Sequence, residues 1–399
     1  MFPTRRIITS GGDVYRDQYS LEFDGTNDYV NAGGTFQSTF QGSFTVAGWF
    51  KPSDGRPSAN QMLFGAYKGD ATNGIQLYID SANIASGALY SNYKVGGTDI
   101  GCATSGAVLD DGGGRWYHIA LVVNDSTNAM QIYLDGVNQT LDGTQDGDIS
   151  GITNGSFSTD ANLFLGARQY SGSAGVFFNG NASEIAIWNT ALSSNQVKQL
   201  YNGREPFDAR NVAKSNLVGY WRMGDGVLDD RQKFGLVADQ VNATLGSETS
   251  PQVLLSSDEI SSWSVATGSV ATFDTDHYIL TRDANDARMR RAISPTPTVG
   301  SVYKVTVTAK RVSGSGAINV GMTNGSDNQD ALNTFTPTSS YQTFVAHILA
   351  TSNQTHATLW NQTANDVMHY KGYSVKKVNG NAGALVNFDG SDFKTDVPR

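Results

Sequence analysis

The sequence predicts an all-β protein made of two tandem antiparallel jelly-roll sandwiches, with one short helix closing the first. Three observations predict this class. The chain of 399 residues is longer than a single hydrophobic core normally requires. Its 44 glycines and 16% charged residues favour tight turns over long helices. Apolar and polar residues alternate with period 2 along many short segments, which is typical of half-buried strands.

Changes in this pattern divide the chain into five parts. They are an N-terminal arm (1–18), a first sandwich (19–204), a connector (205–252), a second sandwich (253–378) and a C-terminal tail (379–399). The helix is predicted at the end of the first sandwich. Ser193 can cap its first turn, and the Asn202-Gly203 pair ends it.

The strands of the first sandwich are separated by Gly and Asx turns. The clearest strand is Trp116–Val123, and a later hairpin turn is predicted at Asp135-Gly136. The other predicted strands are Tyr19–Phe23, Tyr29–Val30, Phe44–Phe50, Met130–Leu134, Leu163–Gly166 and Ser183–Trp188. Short strands at this spacing predict an antiparallel sandwich.

These segments, in this order, resemble the laminin-G-like and pentraxin-like jelly rolls of the concanavalin-A-like class. The resemblance lies in Leu21–Gly25, Asp28–Val30, Phe44–Phe50, Trp116–Ala120, Ile132–Gly136, Leu165-Gly166 and Ile185–Tyr201. It covers nearly half of the chain. It implies a curved sandwich that binds glycans or proteins, often through calcium at one rim.

The resemblance to pentraxin-like members points to Asp70 and Asn73 as calcium ligands, because they precede the strand Ile75–Tyr78. In that family the other ligands come from an acidic loop after the Leu-Gly strand. Here residues 167–173 contain no carboxylate. Calcium takes about six to eight oxygen ligands, so half of the implied set is missing. We therefore expect no required cofactor, with calcium as the alternative.

An enzyme is the alternative function that the resemblance raises, because retaining glucanases share this fold. Their acids lie on alternate residues of one inner strand, at the spacing that a nucleophile and an acid need. In the matching segment only Glu184 is acidic, while Ala186 and Trp188 occupy the other two positions. The five histidines show no metal-ligand spacing, and His118 lies in an apolar strand. We predict a non-catalytic protein with no catalytic residue.

The connector contains a short apolar strand around Leu217–Trp221. Tryptophan in such a strand is normally part of a core, so we interpret Trp221 as packing against one of the sandwiches. A sugar-stacking role for Trp221 is the alternative.

The second sandwich resembles family 4 and family 9 carbohydrate-binding modules in strand order. The resemblance lies in Trp263, Tyr303–Lys310, Ser340–Phe344 and Tyr373–Val375. It implies that exposed aromatic rings stack on sugars, and Trp360 and Tyr370 are the candidates here. A core position is the favoured interpretation for both rings.

The charge and cysteine content exclude several function classes. The net charge is −9, and the only tight basic cluster is Arg288, Arg290 and Arg291, which we interpret as an exposed basic turn. We therefore expect no nucleic-acid partner. Cys102 is the only cysteine and forms no intrachain disulfide. We expect neither a membrane span nor a secretory signal peptide.

Tandem jelly rolls behind a short polar arm resemble phage virion surface proteins, such as fibre, decoration and appendage proteins. The resemblance implies a homo-oligomer on the virion surface that contacts other virion proteins through the arm or the tail. It also implies attachment to glycans of the host surface. The alternative is an extracellular bacterial protein, secreted or held at the cell surface, that binds glycans as lectins do.

Overall fold

In the computed structural model, the described residues form two β-sandwiches. The description covers residues 17–67, 72–170, 173–226, 229, 236–241, 245–249, 263–265, 269–282, 288–324, 332–350, 355–378, 383–386, 388 and 391–398. The predicted all-β class with tandem, mainly antiparallel sandwiches is confirmed. Within these ranges, no helix is long and apolar enough to cross a membrane.

The strands are short and follow one another closely along the chain. Those up to the connector are β1 (Ser20–Asp24), β2 (Tyr29–Asn31), β3 (Phe44–Pro52), β4 (Gln61–Tyr67), β5 (Gly74–Ile79), β6 (Leu89–Val95), β7 (Thr98–Thr104), β8 (Tyr117–Asn124), β9 (Ala129–Leu134), β10 (Val137–Asn138), β11 (Leu141–Asp146), β12 (Phe164–Leu165), β13 (Arg168–Tyr170), β14 (Ser173–Gly175), β15 (Asn179–Trp188), β16 (Leu217–Trp221) and β17 (Leu236–Val237). The later strands are β18 (Leu245–Thr249), β19 (Ser264–Val265), β20 (Ser269–Asp274), β21 (His277–Arg282), β22 (Arg288–Ala292), β23 (Val302–Ser313), β24 (Ile318–Thr323), β25 (Leu332–Phe335), β26 (Gln342–Leu349), β27 (His356–Asn361), β28 (Val367–Val378), β29 (Gly383–Val386) and β30 (Phe393–Lys394).

The described strands form four sheets, two in each sandwich. Sheet 1 has the order β10-β9-β8-β3-β15-β1-β30, and β16 also pairs with β15. Sheet 2 has the order β11-β7-β6-β5-β4-β12-β2-β29-β17, with β13 on β4 and β14 on β13. Sheet 3 has the order β20-β21-β28-β23-β26, with β18 on β28, and sheet 4 has the order β19-β22-β27-β24-β25.

The first sandwich is assembled from three separate stretches of the chain. Strand β16 of the connector pairs with β15 of sheet 1. In the tail, β29 pairs antiparallel with both β2 and β17 in sheet 2, and β30 pairs with β1 in sheet 1. The tail therefore adds one strand to each sheet of a sandwich that begins more than 350 residues earlier.

Both faces of sheet 1 are buried, which explains its nearly continuous apolar strands. In β8, Ile119 and Leu121 pack into the core between sheets 1 and 2, whereas Ala120 and Val122 pack outward beneath the chain that follows β15. His118 also faces outward and is 2% exposed, with its ring near Trp49. Burial lowers the pKa of His118 to about 3, so its imidazole is neutral at physiological pH.

The predicted closing helix is confirmed as α2 (Ser194–Tyr201), which follows a four-residue α1 (Gln37–Phe40). The Ser193 side chain accepts a hydrogen bond from the Gln196 backbone N–H, and Asn202 ends α2 in a left-handed conformation with φ 46°. The sequence did not predict α1, because a single turn leaves no apolar periodicity to detect.

The second sandwich has its own core between sheets 3 and 4. In sheet 3, strand β23 pairs with β26 on one side and with β28 on the other. A smaller apolar cluster of Ala238, Val302, Val378 and Ala384 joins this sandwich to β29 and the end of β17. The interpretation of the three arginines as an exposed basic turn is wrong, since they lie in β22, where Arg288 is 9% exposed.

Candidate functional site

A cleft opens at one rim of the first sandwich, where the turn after β1 meets the chain leading into β4 and β15. We call it the rim cleft. It encloses about 460 Å³, a size typical of small-molecule sites. Its lining residues are Gly25, Asp54, Pro57, Ser58, Ala59, Asn60, Gln61, Val176, Phe177 and Asn179.

The amide side chains of the rim cleft are held by their oxygen atoms. Asn60 Oδ1 accepts hydrogen bonds from the backbone N–H and the hydroxyl of Ser81, at 2.9 and 2.8 Å. Asn179 Oδ1 accepts one from the Ser53 hydroxyl at 2.9 Å. Among the described residues, the NH₂ groups of these two amides have no partner. Both groups are therefore available to donate to a ligand.

The backbone of the rim cleft is strained at Val176. This residue has φ 55°, which is rare for any residue with a Cβ and rarer still for a β-branched one. Backbone strain of this kind is concentrated at functional sites. The Val176 side chain packs against a cluster formed by Met62, Tyr78, Tyr90 and Ala103 on the outer face of sheet 2. Val176 therefore lies between the cleft and that face.

The outer face of sheet 2 presents tyrosines, amides and one arginine on neighbouring strands. Its strands alternate, since Ile75 and Leu77 of β5 point into the core while the residue between them points outward. The residues on the outward side are Tyr67, Gln76, Tyr78, Tyr90, Asn92, Arg168 and Tyr170. We call this set the tyrosine face.

The side chains of the tyrosine face form a connected network. The rings of Tyr78 and Tyr90 are stacked, with centroids 5.2 Å apart. Gln76 Nε2 donates to Asn92 Oδ1 at 2.9 Å, and Asn92 Nδ2 donates to Asp99 Oδ1 at 3.1 Å. Burial raises the pKa of both stacked tyrosines above the usual value, so both phenols stay protonated at physiological pH.

Two glycines allow side chains to lie flat on this face. A Cβ at Gly74 would lie 2.5 Å from the Tyr67 ring, and a Cβ at Gly65 would lie 3.3 Å from the Arg168 Cα. Arg168 extends over the face toward Gln76, with 3.5 Å between Nη1 and Oε1. Its guanidinium lies 5.3 Å from the centroid of the Tyr170 ring, which is 43% exposed. The Arg168 Nε is buried and has no partner in the described part of the chain.

Of the two residues predicted to bind calcium, the structure describes only Asn73. Asp70 lies outside the described residues. Asn73 is 6% exposed, and its Oδ1 accepts hydrogen bonds from the backbone N–H groups of Gly96 and Ser158, at 3.2 and 3.3 Å. That oxygen already holds two loops together. The described residues contain no group of three or more His, Cys, Asp or Glu side chains placed to hold a metal ion.

Two of the three aromatic rings predicted to bind sugar are core residues. Trp221 is 0% exposed and packs edge-on against Phe36. Tyr370 is also 0% exposed, and its hydroxyl donates to Asn361 Oδ1. Neither ring can stack on a ligand, because strand alternation points both into a core. Trp360 is half-buried, and the Arg288 guanidinium covers one of its faces at 4.9 Å.

Glu184, the candidate acid of the glucanase alternative, lies in a buried cluster. Its carboxylate accepts from Arg222 Nε at 3.0 Å and from the Tyr220 hydroxyl. Its side chain is 3% exposed. Burial raises its pKa to about 7, while the Arg222 charge and both hydrogen bonds act in the opposite direction. This carboxylate is enclosed by protein, so it does not face a substrate-sized space.

The same cluster includes Asp17 and contacts the two residues that follow it. Asp17 accepts from the Ser183 hydroxyl at 3.2 Å, and Asp225 Oδ2 accepts from the backbone N–H groups of Gln18 and Tyr19, at 2.7 and 2.8 Å. Prediction from the sequence missed this cluster because its acids are far apart in the chain. It also missed the tyrosine face, although the alternation of Ile75–Tyr78 contained that signal.

Comparisons with known proteins agree with this architecture. Residues 24–198 match the family of concanavalin A-like lectins and glucanases named Laminin_G_3. The carbohydrate-binding module of family 40 from the Ruminococcus gnavus IT-sialidase is 18% identical, with TM-score 0.36, over 46% of this chain and 96% of that one. A heptameric SAP-like pentraxin from Limulus polyphemus is 16% identical, with TM-score 0.32, over 47% and 84%.

A presumed carbohydrate-binding protein from Bacteroides ovatus is 22% identical, with TM-score 0.39, over 56% of each chain. No protein of curated function matches the sequence. All three TM-scores are below 0.5, so the assignment of the fold rests on the family match over residues 24–198. The resemblance proposed from the sequence is thus confirmed for its fold: residues 24–198 form a concanavalin A-like, laminin-G-like sandwich.

Proposed function

We propose that this chain is a non-catalytic glycan-binding protein whose ligand occupies the rim cleft and extends onto the tyrosine face. The observation behind the proposal is that a carboxylate, three side-chain amides and a phenylalanine face one open volume. A sugar presents hydroxyl groups at its edge and C–H bonds on its faces. A carboxylate accepts from hydroxyls, amides donate to them, and an aromatic ring covers the C–H face.

Within the rim cleft, Asp54 and Phe177 are the residues with the clearest roles. Asp54 Oδ1 accepts from the Arg56 backbone N–H at 2.8 Å, which orients the carboxylate and leaves Oδ2 for a ligand hydroxyl. Phe177 is half-buried beside the strained Val176, so part of its ring faces the cleft. The NH₂ groups of Asn60 and Asn179 supply the donors. This combination fits one sugar residue.

Beyond Val176, the ring of the tyrosine face that is open to a second sugar residue is Tyr170, which is 43% exposed, whereas Tyr67, Tyr78 and Tyr90 are each at most 9% exposed. The exposed Tyr170 ring supplies a stacking surface, and the Arg168 guanidinium, 5.3 Å from the centroid of that ring, supplies a charged donor for a hydroxyl or carboxylate of the ligand. We therefore expect an oligosaccharide to bind more tightly than a single sugar.

The test is binding of the purified full chain to a broad panel of immobilised glycans, followed by calorimetry with the best ligand. We expect Asp54→Asn and Phe177→Ala each to weaken binding by about tenfold or more, the usual effect of removing a charged hydrogen bond or a stacking ring. Asp160→Asn, an exposed acid outside the cleft, is the matched control. Unchanged affinity in both cleft variants would refute the cleft as the site.

We infer that calcium is not required for this binding, because the Asn73 oxygen is engaged by two backbone donors. Chelation should leave the affinity unchanged. Loss of binding on chelation, restored by calcium, would contradict this inference.

We infer that the bound glycan is not cleaved, because β15 offers one acidic side chain and protein encloses it. Release of reducing ends from the best ligand would contradict this inference.

We propose a phage virion as the setting for this binding, on the resemblance of the module order alone. In that setting the protein is a homo-oligomer. The arm is the better candidate for attachment, because β29 and β30 of the tail already pair within the first sandwich. A secreted or cell-surface bacterial protein is the alternative. Detection of the chain in purified phage particles would support the first setting, and its detection only in a bacterial envelope or culture medium would support the second.

A further inference from the structure

A second group of polar side chains lies on the outer face of sheet 3, in the other sandwich. Lys310 on β23 lies opposite His369 on β28. Their chain neighbours Ala309 and Tyr370 are fully buried in the core. Because successive side chains on a strand point to opposite faces, Lys310 and His369 point away from the core.

Three more residues complete this group, namely His277 at the start of β21, Tyr341 just before β26 and Lys371 on β28. We call the five residues the histidine–lysine cluster. The two histidine rings are stacked, with centroids 4.2 Å apart and planes 25° apart. The ammonium groups of Lys310 and Lys371 lie 4.7 and 4.1 Å from the centroid of the Tyr341 ring.

Three buried polar atoms of the histidine–lysine cluster have no hydrogen-bond partner among the described residues. They are His277 Nε2, His369 Nδ1 and the Tyr341 hydroxyl. Buried polar groups in native proteins are nearly always paired, so three unpaired atoms in one cluster need an explanation. His369 Nδ1 and the Tyr341 hydroxyl can each donate a hydrogen bond. His277 Nε2 donates when that imidazole carries both protons, because its Nδ1 is paired with Asp276. An acceptor from outside the chain would satisfy them.

The charges of the cluster indicate the sign of that acceptor. Asp276 pairs with His277 at 2.9 Å and with Lys371 at 3.2 Å. Lys310 contacts the Tyr341 ring and has no carboxylate partner within the described ranges. Burial, together with the neighbouring His277 and Lys310, lowers the pKa of His369, whereas Asp274 acts in the opposite direction. Among the described residues, Lys310 is therefore the ammonium of this cluster that forms no ion pair, and the Asp274 carboxylate lies near His369 and Tyr341 without bonding to Lys310.

We propose that the histidine–lysine cluster binds an oxyanion, the carboxylate or phosphate group of an acidic polymer. Lys310 supplies the charge, and the imidazole and phenol groups supply hydrogen bonds to the anionic oxygens. The site lies on the second sandwich, and the proposal does not depend on the rim cleft. A chain with both sites would bind an acidic glycan through two separate sandwiches.

The test uses the imidazole resonances of the full chain, which has five histidines. The variants His277→Gln and His369→Gln each remove one imidazole resonance and so assign the two signals. The unmodified chain is then titrated separately with inorganic phosphate, glucuronate and neutral glucose at constant ionic strength. We expect phosphate or glucuronate to shift both resonances saturably, and glucose to leave them unchanged. A response to phosphate alone would identify phosphate as the source of the anion, and a response to glucuronate alone would identify an acidic sugar.

The matched variants are Lys310→Gln and Lys304→Gln, which change two lysines of the same strand. We expect Lys310→Gln to weaken binding of the anion by about tenfold or more, because the variant loses a charged hydrogen-bond donor. Lys304→Gln should bind as the unmodified chain does. Equal weakening in both variants, or no saturable shift in the unmodified chain, would overturn the proposal.

Discussion

Asp17 should make the first sandwich less stable as the pH rises. Burial raises its pKa to about 9, and the nearby charges of Glu184 and Asp225 act in the same direction. Folded Asp17 therefore keeps its proton at neutral pH, whereas the unfolded chain releases it at an ordinary pKa of 3.8. The contribution of this proton to the free energy of unfolding is fully present below the unfolded pKa and is lost as the pH rises through the folded pKa.

The size of the effect follows from the gap between those two values. One pH unit between the two pKa values corresponds to about 1.4 kcal/mol. At pH 7 the folded chain holds a proton that the unfolded chain has released, which lowers the free energy of unfolding by about 4 kcal/mol relative to acidic pH. Asp17→Asn has the same shape and no proton to bind. It should raise the free energy of unfolding by about 2–4 kcal/mol at pH 7, the lower figure allowing for an unpaired amide. Glu184, whose pKa is raised to about 7, adds a slope of the same sign.

The assay is urea unfolding followed by tryptophan fluorescence at pH 5, 7 and 9. The unmodified chain should lose stability across this range, and Asp17→Asn should lose less, so that the gap between them widens with pH. Asp160→Asn, at an exposed position, should follow the unmodified chain. If Asp17→Asn has the same urea midpoint as the unmodified chain at all three pH values, Asp17 is an ordinary solvated carboxylate and the reasoning fails.

Three further results are expected from the core and the tail. Trp221→Ala should destabilise the first sandwich by about 3–5 kcal/mol in the same urea assay, because the ring is fully buried. Cys102 is buried, and burial raises its pKa to about 12, so a thiol reagent should react with it only after denaturation. A chain that ends at Val378 lacks β29 and β30, so its first sandwich should melt at a lower temperature by calorimetry. An unchanged melting temperature would mean that the tail strands add no stability.

Local patterns explain why much of the first sandwich could be predicted. The alternation in Trp116–Val123 indicated strand β8, and Ser193 with Asn202-Gly203 indicated helix α2. Each signal lies within a few residues of the element that it specifies. The return of β29 and β30 could not be predicted in this way, because pairing between distant strands leaves no periodic trace in one sequence. The sequence suggested only that the tail can pack on a neighbour.

The predicted site residues show that residue type alone does not predict which side chains are available to a ligand. Trp221 and Tyr370 were sugar-stacking candidates because of their residue type, but strand register points both into a core. Asn73 has the chemistry of a calcium ligand, and two backbone donors already occupy its oxygen. The rim cleft is formed by turns far apart in sequence. The feature that best marks it as a candidate site is the positive φ of Val176, which only the three-dimensional structure reveals.

The tail and the rim cleft are parts of one connected structure. Asp396 forms an ion pair with Lys51 at the end of β3, and its other carboxylate oxygen accepts from the Trp116 indole N–H at 3.1 Å. Lys51 is three residues before Asp54, the proposed ligand carboxylate. Between them, the Ser53 backbone N–H donates to the Asn179 carbonyl at 3.0 Å, inside the cleft wall. The last described residues of the chain thus brace the loop that holds Asp54, so the cleft depends on a tail that returns from beyond the second sandwich.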